Sequence, residues 1–219
     1  MEEALISGEE AFQTALAGLE GNAKELAKNA HDEIKNLQAL VDSANWKAEG
    51  DLDGADFFTM DEGGNVPSRK FVMPVPYSVE KIMSHAGDPT FRVTAAPHMV
   101  ESVDVLIKLM PRTNVIRTVN KGGLVVDKRD IVAVLHAFLA DDGTGYIIEK
   151  SVEVPEGPEV EGYVRAEMFA GFILEPIDDE NTTVTRVARI DPKGQIPDMV
   201  KKKLGKENMI KRFMEAIPK

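Results

Sequence analysis

Histidine is the side chain in this sequence best suited to acid–base or metal chemistry. The chain has four histidines and no cysteine: His31, His85, His98 and His136. Their spacing fits no metal-binding pattern, and the lack of cysteine excludes a thiolate metal site, a cysteine nucleophile and a disulfide. His136 stands alone in an apolar segment, where a histidine is more often a hydrogen-bonded core residue than a general base.

Other motifs that carry chemistry are absent or incomplete. The sequence has no Gly-x-Ser-x-Gly elbow, no phosphate-binding loop and no dinucleotide fingerprint. Asp141-Asp142-Gly143 is typical of a hairpin turn, because the rest of a calcium-binding loop is missing. We therefore expect no catalytic residue, no metal and no cofactor. One alternative stays open, an enzyme that uses His136 or a buried acid.

Charge is unevenly distributed along the 219 residues. The net charge is −11, yet residues 192–219 hold eight basic and three acidic residues, which gives +5 there and −16 elsewhere. The acidic body argues against nucleic-acid binding, which needs clustered Lys and Arg.

No apolar run approaches the roughly 18 residues of a membrane-spanning helix, and the first residues lack the pattern of a secretory signal. We expect a single domain over residues 1–219, monomeric and cytoplasmic.

Apolar periodicity predicts helices at both ends of the chain and strands between them. Residues 1–43 follow a helical period, and from Trp46 onward short alternating segments predict strands. A last helix is predicted at residues 198–217. Its apolar stripe consists of Val200, Leu204, Ile210, Phe213, Met214 and Ile217. Strands flanked by helices predict an α+β fold with an antiparallel sheet, which curves because strands twist.

The segment Asn120–Lys128 combines two glycines and charged flanks with an apolar centre, Leu124, Val125 and Val126. The glycines and charges predict a loop. An apolar loop tip either covers a cavity or meets another surface.

Six stretches, in this order along nearly the whole chain, resemble the START domain, a lipid-transfer domain family. They are Gly8–Leu16, Trp46-Lys47, Arg129–Val134, Gly162–Glu167, Ile173–Pro176 and Ile190–Pro197. The resemblance implies a helix-grip fold of the START/Bet v 1-like type. In that fold a curved antiparallel sheet surrounds a long C-terminal helix, here with additional N-terminal helices, and a lipid tunnel lies between sheet and helix.

The resemblance also implies a gate, formed by the C-terminal helix at 198–217 and the 120–128 loop. Leu124, Val125 and Val126 would touch the acyl region of a membrane, while three lysines meet anionic headgroups. Each lysine near such a surface contributes about 1 kcal/mol. These lysines are Lys201, Lys202 and Lys203.

The predicted tunnel is apolar with one polar position, Thr118. The steroid-transferring member after which the family is named carries an acid and an arginine at the positions of Thr118 and Leu135, so the resemblance alone does not identify cholesterol as the ligand. Other sterol carriers need not use such a pair. The sheet side is predicted to contain Ile116, Thr118, Ala133, Leu135, Ala137, Phe169, Gly171 and Ile173. The helix side is the apolar stripe of residues 198–217. Arg129, Arg165 and Asp191 match family positions and are interpreted as structural.

The resulting hypothesis is non-enzymatic binding and intracellular transfer of a sterol, phospholipid or other acyl lipid, with transient contact to an anionic membrane. One alternative is a cyclase-like or hydrolase-like enzyme on the same fold. The other is a lipid-sensing protein-interaction module that uses its N-terminal helices as the partner surface.

Overall fold

Ten strands form one sheet in the computed structural model, which describes residues 5–52, 54–63, 66–122, 127–194 and Ile217. The strands are β1 (Lys47–Leu52), β2 (Ala55–Met60), β3 (Ser68–Val75), β4 (Val100–Met110), β5 (Thr113–Asn120), β6 (Lys128–Leu139), β7 (Gly145–Ser151), β8 (Tyr163–Arg165), β9 (Glu167–Pro176) and β10 (Thr182–Asp191). Their order is β1-β2-β3-β10-β9-β7-β6-β5-β4, and β8 pairs in parallel with β6. The predicted α+β class with a large antiparallel sheet is confirmed.

Four helices accompany the sheet in the described part of the chain. They are α1 (Glu9–Ala17), α2 (Gly21–Val41), α3 (Val79–Ala86) and α4 (Phe91–Ala95). Helix α2 is amphipathic, because Ala27, Ala30, Ile34 and Leu37 recur at intervals of three or four residues and are all buried. None of the described helices is both long enough and apolar enough to cross a membrane.

The two faces of the sheet pack against different helices. We call the face covered by α1 and α2 the outer face, with a core that includes Phe12, Leu37 and Val134. The opposite, inner face carries Ile116 and Leu135 and packs with α3. The sheet therefore has a separate hydrophobic core on each of its two faces, and each core is covered by different helices.

Strand β6 is buried on both faces along nearly its whole length, as its continuous apolar sequence predicts. The segment Tyr163–Pro176 is divided into two strands, β8 and β9. The division falls at Ala166, whose N–H donates to the Asp130 carbonyl on β6 at 2.9 Å. The chain therefore leaves β6 at this point and continues beside β7.

Candidate functional site

The inner face brings together five of the sequence-predicted tunnel residues. Ile116 and Thr118 lie on β5, and Ala133, Leu135 and Ala137 lie on β6. Cross-strand pairing places Ile116 beside Ala133, and all five side chains are at most 6 % exposed. The described residues therefore form an apolar wall on which Thr118 is a polar exception.

Three predicted tunnel residues on β9 lie on the other face, so their assignment to this wall is wrong. Ile173 belongs to the outer-face core and Phe169 packs against it. A Cβ atom built on Gly171 would lie 2.6 Å from a methyl carbon of Leu37, so this glycine allows α2 to approach the sheet. The inner-face residues of β9 are instead Met168, Ala170, Phe172 and Leu174.

The sequence of β9 gives no sign of this choice, because both of its faces are apolar. Alternation fixes which residues share a face, but pairing with neighbouring strands decides which face is inner. Phe172 is opposite Ile147, which in turn is opposite Ala137.

The remaining predictions for the tunnel and gate fall almost entirely outside the described residues. These are Leu124, Val125, Val126, Val200, Lys201, Lys202, Lys203, Leu204, Ile210, Phe213 and Met214. Ile217 is described, is 2 % exposed and belongs to the inner-face core.

A group of charged side chains that the sequence alone did not identify lies at the inner face. Arg92 on α4 donates to both carboxylate oxygens of Glu149 on β7, at 2.9 and 2.5 Å. The Arg186 guanidinium carbon on β10 lies 5.4 Å from the centre of the Phe172 ring. Burial lowers the pKa of Arg186 to about 10, with Glu149 opposing the shift and Arg92 adding to it. Arg186 therefore remains charged at neutral pH, so the inner face is not uniformly apolar.

Two polar atoms on the inner side of β5 are buried without a hydrogen-bond partner among the residues that the structure describes. They are Oδ1 of Asn114 and Oγ1 of Thr118, on side chains that are 4 % and 6 % exposed. Such atoms cost free energy, on the order of 1–3 kcal/mol each. The sequence predicted Thr118 but missed Asn114, although period-two alternation with Ile116 and Thr118 places it on the same face.

Arg129, at the start of β6, connects two separate backbone segments. Its guanidinium donates to the carbonyls of Asp127 at 2.5 Å, Pro192 at 3.0 Å and Lys193 at 3.3 Å. The first of these lies at the end of the 120–128 loop, and the other two follow β10. One buried side chain thus holds both segments next to the sheet.

The neighbouring Asp130 is the centre of a buried ion-pair network on the outer face. Arg165 donates to its two oxygens at 3.0 and 2.9 Å, and Nε of Arg117 lies 3.3 Å from one of them. Both arginines also donate to the Pro158 carbonyl. The network therefore anchors the loop between β7 and β8.

His136 lies on the outer face and is fully buried between the sheet and the N-terminal helices. Its Nε2 is 3.2 Å from Nδ1 of His31, and its Nδ1 is 2.8 Å from the Thr113 hydroxyl. Nε2 of His31 lies 3.2 Å from the Glu9 carboxylate. Because a carboxylate only accepts, His31 donates through Nε2 and accepts from His136, which in turn accepts from Thr113.

This arrangement fits a neutral core histidine. Burial, with the neighbouring His31 adding to the shift, lowers the pKa of His136 to about 3. A general base must reach the proton that it removes, and His136 points away from the inner face. Nor do the described residues contain a group of three or more His, Cys, Asp or Glu side chains placed to hold a metal.

A family model described as START domain matches residues 27–216. A search of curated protein sequences returns no match.

Several solved structures share the fold. The human StAR-related lipid transfer protein 5 is 21 % identical, with a TM-score of 0.73 over 89 % of this chain and 96 % of that one. Human STARD10 is 17 % identical, with a TM-score of 0.74 over 85 % and 78 % of the two chains. A STAR-related lipid transfer protein from Xanthomonas axonopodis is 19 % identical, with a TM-score of 0.66 over 79 % and 97 %.

Proposed function

This chain belongs to the START domain family, and from that premise we propose that it binds a lipid at the inner face and transfers it between membranes without covalent chemistry. The observation that carries the proposal is the inner face itself, a buried apolar wall with isolated polar groups. Such a lining suits an amphipathic lipid, because apolar area gives affinity and a few polar atoms fix the orientation. The solved relatives named above include two called lipid transfer proteins.

The proposed mechanism is exclusion of water from the lipid. Burying roughly 400 Å² of apolar ligand surface at about 25 cal/mol per Å² contributes about 10 kcal/mol before the costs of association. A lipid in a bilayer is already shielded from water, so this contribution replaces the shielding that the lipid loses when it leaves the membrane. The inner face needs no nucleophile or metal for this task.

Phenylalanine at position 133 tests whether the lipid occupies the inner face. We expect Ala133→Phe to reduce lipid affinity and vesicle-to-vesicle transfer at least tenfold, because the ring fills space that the lipid needs. Transfer of fluorescent lipids and native mass spectrometry of the purified protein measure the effect and give the mass of the bound lipid. Ala133→Ser, which adds little volume, is the matched control and should transfer normally. Unchanged transfer by Ala133→Phe would contradict the proposal.

We propose further that the C-terminal helix at 198–217 and the 120–128 loop open together as a gate. The contacts of Arg129 support this, because one guanidinium holds the end of that loop and the backbone just after β10. The proposal includes a cytoplasmic monomer whose Lys201, Lys202 and Lys203 meet anionic membranes. Faster transfer to vesicles that contain anionic lipid, lost at high salt, would support that contact.

Removing the Arg129 contacts should make the gate easier to open. We expect Arg129→Ala to exchange bound lipid several-fold faster and to retain it less well, since three hydrogen bonds that hold the two segments are lost. Stopped-flow release of a fluorescent lipid into vesicles measures the rate. Lys128→Ala, which removes the exposed pair with Glu101 and the contact of the ammonium with the Tyr163 ring, should leave the rate unchanged. Equal release rates for Arg129→Ala and the unmodified protein would argue against coupled opening.

A further inference from the structure

Asn114 carries an acceptor for which the described structure provides no donor. The residue lies on β5 opposite Leu135, is 4 % exposed, and has no hydrogen-bond partner at Oδ1. A buried amide oxygen in this state has given up its hydrogen bonds to water without replacement. Native folds rarely keep such an atom, so its position indicates a donor that comes from a bound molecule.

The register of the sheet places Asn114 near the charged group described above. Asn114, Leu135 and Glu149 are direct neighbours across β5, β6 and β7. Adjacent strands are about 4.8 Å apart, so the backbones of Asn114 and Glu149 are separated by about 10 Å. Apolar Leu135 lies between them. A polar group of a ligand above Leu135 is within reach of both side chains.

The chemistry of these neighbours selects among lipid head groups. The Asn114 oxygen and the Glu149 carboxylate are both acceptors, and Arg92 already donates to both oxygens of that carboxylate. A phosphodiester brings no donor, so it would leave the Asn114 oxygen unsatisfied. A hydroxyl or an amide N–H donates to Asn114 and needs no counter-charge.

We propose that Asn114 accepts a hydrogen bond from the ligand, and that this ligand is a neutral lipid with a hydroxyl or amide N–H donor rather than a phosphodiester lipid. The inference rests on the proposed function and narrows it. It also assigns a reason for keeping a destabilising oxygen in the core, because the lipid supplies a partner that the described part of the chain does not provide.

Lipids that differ only at the hydroxyl group test whether the ligand donates a hydrogen bond to Asn114. Cholesterol, its 3-O-methyl ether and its 3-ketone share one ring system, and dioleoylglycerol and its methyl ether form a second matched set. Dioleoylphosphatidylcholine represents the phosphodiester lipids. We expect the protein to bind at least one alcohol about tenfold more tightly than its ether, and more tightly than phosphatidylcholine, in competition for a fluorescent lipid.

Two variants assign the effect to Asn114. Asn114→Leu keeps the size and removes the acceptor, so the preference for alcohol over ether should disappear. The melting temperature of its lipid-free form should stay equal or rise by a few degrees, because the unsatisfied oxygen is gone. Thr185→Val is the matched control, since Thr185 is 5 % exposed and lies on the outer side of β10, opposite Ile173. It should keep the preference.

The outcomes separate this inference from the proposed function. If ether or ketone binds as tightly as the alcohol, or phosphatidylcholine binds better than both alcohols, the inference is overturned and lipid transport stands. An alcohol preference that persists in Asn114→Leu, or a lower melting temperature of that variant, overturns the role of Asn114. If the unmodified protein binds none of the lipids, the proposed function fails as well.

Discussion

Replacement of Asp130 by alanine is expected to lower the free energy of unfolding by about 3–5 kcal/mol, the range found when one partner of a buried ion pair is removed. The carboxylate is 1 % exposed and contacts both Arg117 and Arg165. Without it, two arginines remain close together without their counter-charge. Urea denaturation at pH 7 measures the loss.

An exposed ion pair provides the control for this result. Lys28 and Asp32 form such a pair one turn apart on α2, and Asp32→Ala should cost about 0.5 kcal/mol or less. Because Arg165 also donates to the carbonyls of Gly157 and Pro158, Asp130→Ala should additionally expose the loop between β7 and β8 to proteases. A loss below 1 kcal/mol with an intact loop would show that the network contributes little.

Acidification is expected to destabilise the fold through His136 before most carboxylates titrate. Burial lowers the pKa of His136 to about 3, whereas an unfolded histidine titrates near 6.5. Below pH 6.5 the unfolded chain therefore binds a proton that the folded protein excludes. The free energy of unfolding then falls by about 1.4 kcal/mol per pH unit, or about 2 kcal/mol at pH 5, and continues to fall toward pH 3.

The groups around His136 set the expected size of this effect. Burial also lowers the pKa of His31, with Glu9 and Asp32 opposing the shift and Lys35 adding to it, so His31 contributes in the same direction. The pKa of Glu9 itself is lowered, chiefly by the hydrogen bond from Gln13. Glu9 therefore loses its charge at a lower pH than an ordinary glutamate does.

Urea denaturation at pH 7, 6 and 5 tests this pH dependence. His136→Phe keeps an aromatic ring among Phe12, His31 and Phe138 and cannot bind the proton. Its stability at pH 7 should fall, because His31 and Thr113 lose their partner, but its slope between pH 7 and 5 should be much smaller. A slope equal to that of the unmodified protein would place the pH dependence elsewhere.

The inner face shows where sequence reasoning succeeds and fails. The resemblance to the START family, together with alternation along each strand, assigned Ile116, Thr118, Ala133 and Leu135 to a common surface, because side chains of a strand point to opposite faces in turn. The same rule could not assign β9, whose two faces are equally apolar. Only its pairing with β7 and β10 shows that Phe172 rather than Gly171 faces inward.

One polar group of the site was identified before the structure, and the others were found only in the structure. Thr118 was identified through the resemblance to the START family, at the position of the acid in the steroid-transferring member. Arg92, Glu149 and Arg186 come from α4, β7 and β10, which are separated by more than 30 residues along the chain. Their contact is a product of strand order, and local sequence contains no information about it.

The sequence by itself determined the α+β class, most strands, the N-terminal helices and the absence of cysteine chemistry, because these depend on composition and on local periodicity. The tertiary structure decided which face each strand presents, that His136 is enclosed beneath the N-terminal helices, and that Asn114 has an oxygen without a partner among the described residues. These properties depend on what lies across a strand or beneath a helix, and that neighbour is set by long-range pairing and packing.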